Sequence, residues 1–247
     1  MKKGFIAFVI AMLITGCSCS KVDENTYNKA VNDFNSSDAI AFTRIEKVTN
    51  KVDVSDYTKT TIEAKYIFSS NRRGEVEKME YVINKSEKEF VSETIEYYYS
   101  NSDQTMYRRK LVRPNSETKI KQNLYFDNYF SVNNCSTTEC LIAIPQNLAP
   151  IYEIENVNGF LIREERGEAI ATFTAACPTS YETCNGKNTL DYTVIIGGDG
   201  QISGLSYQIE GETTITTVSY SFDGFGINNV QIVFQQALYS YEEGIID

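Results

Sequence analysis

The side chains that most often carry enzyme chemistry are scarce in this sequence. Histidine does not occur among its 247 residues. Its absence removes the commonest general base, the Ser-His and Cys-His nucleophile pairs, and nearly all ligand sets of catalytic zinc. Carboxylate pairs such as Glu164/Glu165 and Glu242/Glu243 remain, but adjacent charges of this kind are typical of a solvated surface. We therefore expect no enzymatic activity, no cofactor and no metal site.

Cysteine is the other reactive residue type, and the four distal cysteines fall into two close pairs in polar loops. Their spacings do not match a CxxC redox motif, and histidine is missing from any zinc site that they could form. Local disulfides are the simplest interpretation, although four cysteines permit three connectivities. By chain entropy, each short loop would stabilise the fold by roughly 2 kcal/mol. The expected disulfides are Cys135–Cys140 and Cys177–Cys184, while Cys19 has no evident partner.

Two further clusters indicate binding rather than catalysis. Arg108-Arg109-Lys110, with Arg113, is the one concentration of positive charge in an acidic chain. It suits a lipid phosphate or an anionic polymer, or else an exposed or edge strand protected by charge. Tyr97-Tyr98-Tyr99 covers both faces of a strand by alternation, so at least one ring is expected on the surface. That ring would either pack at the rim of the sheet or stack on a sugar.

The beginning of the sequence has the features of an export signal. A short positive segment, Met1-Lys2-Lys3, precedes an uncharged run over residues 4–14. The run is shorter than the roughly 20 residues of a membrane span and suits the apolar region of a signal peptide. Ile14-Thr15-Gly16-Cys17 then resembles the lipobox of bacterial lipoproteins. The resemblance implies removal of residues 1–16 and transfer of a diacylglycerol to the Cys17 thiol; the alternative is an ordinary signal peptide with an incidental cysteine.

This resemblance implies a compartment and an anchor. Two acyl chains hold a protein on a membrane stably, whereas one chain does not. A lipidated Cys17, followed by a tether up to residue 23, would therefore keep the chain on the extracytoplasmic side of a bacterial membrane. Two of the 23 basic residues lie in the signal, which leaves 21 against 33 acidic residues. This balance argues against nucleic acid as a partner. A protein partner is not indicated.

The remaining pattern predicts one helix followed by strands. Asp23 is a candidate N-cap, and Tyr27, Ala30, Val31 and Phe34 have the spacing of an amphipathic helix that ends near residues 35–37. A glycine-rich turn at 197–200 is expected to join two strands. The pattern breaks between 114 and 158, which suggests an irregular insertion with a short helix near 124–130, or a boundary between two sandwich domains. Alternation predicts strands near 39–48, 62–68, 76–83, 90–100, 105–112, 160–162, 169–175, 190–196, 205–209, 218–222 and 230–234.

About ten antiparallel strands in one sheet must curl, and the apolar face of the sheet needs a cover. This order of elements resembles the lipoprotein-carrier half-barrel family, the LolA/LolB-like folds, over roughly residues 24–240. We therefore expect a mainly β domain over residues 24–247, a large curved antiparallel half-barrel with one N-terminal helix. The resemblance implies that the concave face receives acyl chains.

A lipid or other apolar ligand is accordingly the expected partner of the concave face. The alternative is a surface interaction or structural lipoprotein whose helix fills that face and leaves no cavity. The size of the cavity distinguishes the two, since a lipid carrier needs at least several hundred Å³. The residues expected to line the site are Val31, Phe34, Leu205, Tyr207, Ile209, Val218, Tyr220 and Phe222.

Overall fold

The computed structural model describes residues 22–69, 72–123, 149–178, 184, 186–234 and 239–246. The export signal, Cys17, the Cys135–Cys140 pair and the short helix expected near 124–130 lie outside these residues. Within the part that is described, no helix combines the length and the apolar character needed to cross a bilayer.

The N-terminal helix forms as its spacing predicts. Helix α1 covers Glu24–Ser36, and the Asp23 carboxylate caps it by accepting hydrogen bonds from the backbone N–H groups of Asn25 at 3.0 Å and Thr26 at 3.2 Å. Such a cap satisfies donors that have no partner within the first turn. Four side chains of one helix face are buried, namely Tyr27, Ala30, Val31 and Phe34.

The described strands form one twelve-stranded sheet, which confirms the predicted mainly β fold with a large curved sheet. Neighbouring strands are antiparallel except for β12, which pairs parallel with β6. Their order across the sheet is β12-β6-β5-β4-β3-β2-β1-β11-β10-β9-β8-β7. The strands are β1 (Ala39–Asn50), β2 (Tyr57–Ser69), β3 (Arg72–Glu87), β4 (Phe90–Ser100), β5 (Thr105–Val112), β6 (Ser116–Asn123), β7 (Asn158–Glu165), β8 (Glu168–Ala176), β9 (Thr189–Ile196), β10 (Ile202–Glu210), β11 (Thr214–Phe225) and β12 (Glu242–Glu243).

The first strand of the chain, β1, meets the late strand β11 in the middle of the sheet. Strand β1 pairs with β2 on one side and with β11 on the other, so that Ile40 lies opposite Phe225 and Asn50 opposite Thr214. The two halves of the chain are therefore parts of one sheet rather than two sandwiches. Strand β6 lies within the segment where an irregular insertion is expected.

Alternation along the strands separates two faces. We call the face that α1 covers the concave face; it holds the buried rings of Phe42, Tyr66, Tyr81 and Tyr220. The opposite, convex face holds the alternate residues, such as Tyr98 between the inward Tyr97 and Tyr99. This division is what a sheet with one buried side requires.

The strand predicted over residues 230–234 is wrong. After Gly226, whose φ of 80° suits glycine, the chain turns, and residues 230–234 do not join the sheet. The reason is topological, because both edges of β11 are already occupied, by β1 and by β10. Val230 is buried, and Phe234 packs on the convex face instead.

Candidate functional site

The eight residues predicted to line a ligand site all lie on the buried side of the fold, where each is at most 8% exposed. They pack against one another across the helix–sheet interface. The Phe34 ring meets Phe222 edge-on, with ring centroids 5.3 Å apart, and Phe225 at 5.7 Å. At the other end of α1, Tyr27 contacts Phe160 and Phe173 at 5.0 and 5.9 Å. The helix thus covers the part of the concave face formed by β7 to β11.

A small cavity lies under the helix, lined by residues that the structure describes. A cavity beside Phe34 and Phe222 has a volume of about 10 Å³. That is close to the least that a single water molecule needs. This cavity is therefore too small for an acyl chain.

The apolar face continues beyond the helix across β2 to β5. Tyr66, Met79, Tyr81, Ile95 and Tyr97 are each at most 3% exposed. None of them belongs to the predicted lining set, which comprises two residues of α1 and six of β10 and β11. The buried apolar face thus extends past the strands whose rings contact α1.

A polar layer crosses the concave face next to these rings. Arg44 is only 5% exposed; its Nε donates to the Tyr220 hydroxyl at 3.2 Å and its Nη2 to the Glu46 carboxylate at 2.6 Å. Burial raises the pKa of Tyr220, and the neighbouring Arg44 charge opposes that rise. The pairing satisfies a buried guanidinium, which would otherwise be costly.

The next row along the strands is charged. The Glu93 carboxylate bridges Lys85 at 2.7 Å and Lys110 at 3.0 Å. Burial alone would raise the pKa of Glu93, but the hydrogen bonds and charges of the two lysines outweigh it and the pKa is lowered. The concave face therefore runs from aromatic at the Phe34 end to ionic at the Glu93 end, a gradient that the sequence analysis missed.

A second site lies on the convex face, where aromatic rings from the sheet and from the C-terminal segment meet. Tyr98 of β4 stacks on Phe234 with ring centroids 3.8 Å apart and an interplanar angle of 8°. Tyr107 of β5 lies 4.8 Å from Phe234 and 5.1 Å from Tyr241. We call this site the convex groove; its volume is about 240 Å³. Its lining residues are Glu80, Val82, Glu96, Tyr97, Tyr98, Tyr107, Val233, Phe234, Tyr239 and Tyr241.

The carboxylates of the convex groove are paired with cations. Glu80 lies 3.3 Å from Lys65, and Glu96 lies 3.1 Å from Arg109. Arg109 also donates to Glu117 at 2.7 Å, and this hydrogen bond is the main reason why the pKa of Arg109 is raised. The same guanidinium lies over the Tyr239 ring at 4.8 Å.

Three tyrosines of the groove have raised pKa values. Burial raises the pKa of both Tyr98 and Tyr107, and the Asp103 charge adds to the rise. Burial likewise raises the pKa of Tyr241, with Glu96 as the next cause. These three side chains are therefore present as neutral phenols, a group that can both donate and accept a hydrogen bond.

The basic cluster of β5 does not lie on an edge strand, so that part of the expectation is wrong. Strand β5 lies between β4 and β6, and its cations alternate between the two faces. Arg109 faces the convex groove, whereas Arg108 and Lys110 lie on the concave side, where Lys110 meets Glu93. The cluster is thus divided, and two of its members are bound to carboxylates.

One predicted disulfide lies within the described residues and is confirmed. Cys177 and Cys184 are bonded, with their Cα atoms 6.2 Å apart, and the Cys184 side chain is buried. Over the same described part of the chain, no three Cys, Asp or Glu residues are grouped so as to hold a metal ion.

The comparisons with known proteins give little further information. No protein-family model matches the chain, and no curated protein does. Among solved structures, the chain is similar to LprF from Mycobacterium bovis, with a TM-score of 0.40 and 9% identity over 84% of this chain and 95% of that one. A likeness this distant assigns neither a family nor a ligand.

Proposed function

We propose that the protein is a membrane-anchored, extracytoplasmic lipoprotein. Its role in this proposal is to bind a partner at its surface, without catalysing a reaction. In this proposal the half-barrel is a scaffold, and α1 is a permanent part of its core. The observation that carries it is the packing of α1 on the sheet, where the Phe34 ring contacts Phe222 and Phe225 with centroids 5.3 and 5.7 Å apart.

The packing of the helix supports this role. Both ends of α1 are fixed by aromatic contacts, and the Tyr27 hydroxyl donates to the backbone oxygen of Tyr152 at 2.6 Å. Leu205 and Val218 of the expected lining are at most 2% exposed. Side chains that already contact each other must separate before an acyl chain can enter, and close-packed interiors resist such separation.

Lipid binding on the concave face is the second candidate. It is favoured by the extent of the apolar face, which continues over β2 to β5 past the residues that α1 contacts. A ligand there would lie with its apolar part near Tyr81 and Tyr97 and its polar end toward Lys85 and Lys110, because the face becomes ionic in that direction.

Displacement of a fluorescent fatty acid tests the two candidates directly. We expect the folded protein to show no saturable uptake at micromolar concentration. Val218→Ser should cost on the order of 1–3 kcal/mol of stability, since it removes buried apolar volume and adds a hydroxyl, and it has no binding to lose.

Thr217→Ser is the matched control, because Thr217 lies next to Val218 on β11 but on the exposed side. Saturable uptake by the wild type that weakens in Val218→Ser and persists in Thr217→Ser would overturn the scaffold proposal in favour of a lipid carrier.

A further inference from the structure

The convex groove combines aromatic rings with carboxylates that already form ion pairs with neighbouring cations. We infer that it binds a neutral carbohydrate, one or two sugar units at the end or along the side of a glycan. This inference rests on the proposed surface-binding function and gives it a ligand class.

Charge balance is the first step of the argument. The groove carboxylates of Glu80 and Glu96 each have a counter-cation, Lys65 and Arg109 respectively. An ionic ligand entering the groove would have to break one of these pairs to find an opposite charge. A neutral ligand needs no such exchange, because paired carboxylate and guanidinium groups still offer acceptors and donors to hydroxyls.

The aromatic rings supply the other half of sugar recognition. Tyr98, Phe234, Tyr239 and Tyr241 are each half-buried, so part of each ring surface remains open to solvent. Tyrosine gives a large and rigid contact area with a polar tip, a combination that suits the apolar C–H faces and hydroxyl rims of a sugar ring.

A flat aromatic ligand cannot insert between the parallel rings of Tyr98 and Phe234. Tyr98 and Phe234 are already stacked with centroids 3.8 Å apart, which leaves no slot for a third plane. The Tyr241 ring adjoins the stack, with its centroid 6.3 Å from that of Phe234. A volume of about 240 Å³ is also below that of most drug-sized pockets and fits a small sugar unit.

Titration calorimetry of the full-length protein with maltose, cellobiose and N,N′-diacetylchitobiose tests the inference. We expect saturable millimolar binding of at least one of these disaccharides, with an affinity that changes less than twofold between 50 and 500 mM NaCl, since no net charge is neutralised. Tyr98→Ala should weaken that binding at least tenfold.

Phe90→Ala is the matched control, because Phe90 is an exposed aromatic residue at the other end of the same strand. The Phe90→Ala variant should bind the disaccharide with the affinity of the wild type. If Tyr98→Ala fails to fold, Glu80→Gln provides a second variant that keeps the shape of the side chain. We expect it to lower the affinity for the disaccharide at least threefold, since an amide accepts fewer hydrogen bonds from hydroxyls than a carboxylate.

Absence of binding by all three disaccharides at 20 mM would overturn the inference, as would salt-sensitive binding of choline chloride in their place. These results differ from those that bear on the scaffold proposal. Saturable fatty-acid uptake that weakens in Val218→Ser and persists in Thr217→Ser would refute the scaffold whether or not a sugar binds. Failure of sugar binding without such uptake leaves the surface-binding role in place.

Discussion

Truncation of the Phe34 ring tests the role of the helix most directly. The side chain is 6% exposed and makes edge-to-face contacts with Phe222 and Phe225. Replacing a buried phenylalanine with alanine removes its transfer free energy and leaves a cavity, which together cost about 3–5 kcal/mol. The small cavity already present beside the ring would grow rather than collapse, which places the cost toward the upper end of that range.

The expected outcome is a fall in the unfolding midpoint. For a domain of this size, 1 kcal/mol corresponds to roughly 2–4 °C, so Phe34→Ala should lower the melting temperature by roughly 6–20 °C. The transition can be followed by far-UV circular dichroism and, because the chain has no tryptophan, by tyrosine fluorescence. Asn32→Ala is the control on an exposed position of the same helix and should change stability by no more than about 0.5 kcal/mol.

A loss below about 1 kcal/mol would refute the argument that α1 is part of the core. So would a variant in which the helical signal disappears early while the sheet melts at the wild-type temperature. Either result would describe a displaceable lid over the concave face rather than a fixed core element.

Three further predictions concern the anchor, the disulfides and acid stability. Cys17→Ala should abolish labelling of the protein by a radioactive or alkyne fatty acid in cells; a variant that still carries label would contradict the lipobox assignment. Non-reducing peptide mapping should recover Cys177–Cys184 and a second bond between the cysteines at positions 135 and 140, whereas free thiols or crossed pairs would refute this pairing. Because the pKa of Glu93 is lowered in the folded state, its stabilising contribution should be present above pH 4.5 or so and disappear as the pH falls through the folded-state value. Glu93→Gln should therefore flatten the acid limb of the stability curve, and an unchanged limb would count against the ionic row.

Local sequence pattern was sufficient for the helix and for most strands. The spacing of Tyr27, Val31 and Phe34 and the cap at Asp23 determine α1, since burial of one face and satisfaction of its first N–H groups both follow from nearby residues. The glycine turn at 197–200 joins β9 and β10 as expected. These are features in which a few neighbouring residues decide the structure.

Two errors arose where distant residues decide the structure. The segment 230–234 alternates like a strand, yet β11 has no free edge to receive it. Strand β6 has little apolar alternation and was not predicted; it pairs with β5 near the edge of the sheet, where few of its side chains need to be buried. Sequence periodicity reports burial and not the availability of a pairing partner.

The convex groove could not be predicted for the same reason. Tyr98 and Tyr107 are more than 120 positions away from Phe234 and Tyr241, and only the fold of the C-terminal segment over β4 and β5 brings them together. The triple tyrosine did predict an outward ring. For the residues that meet this ring, the sequence offers only the alternation of Tyr239 and Tyr241. Such a short alternation is equally typical of any exposed segment.

The pairing of β1 with β11 has a consequence for the order in which the protein folds. If the chain is exported with its N-terminus first, β1 reaches the far side of the membrane long before residues 214–225 do. Until then the central strand has one unpaired edge, which is open to association with other chains. Closure of the sheet must therefore follow release of nearly the whole polypeptide, and contacts so distant in sequence form slowly. A truncation that removes β11 should leave an aggregation-prone intermediate rather than a smaller folded domain, because the missing strand is the one that joins the two halves.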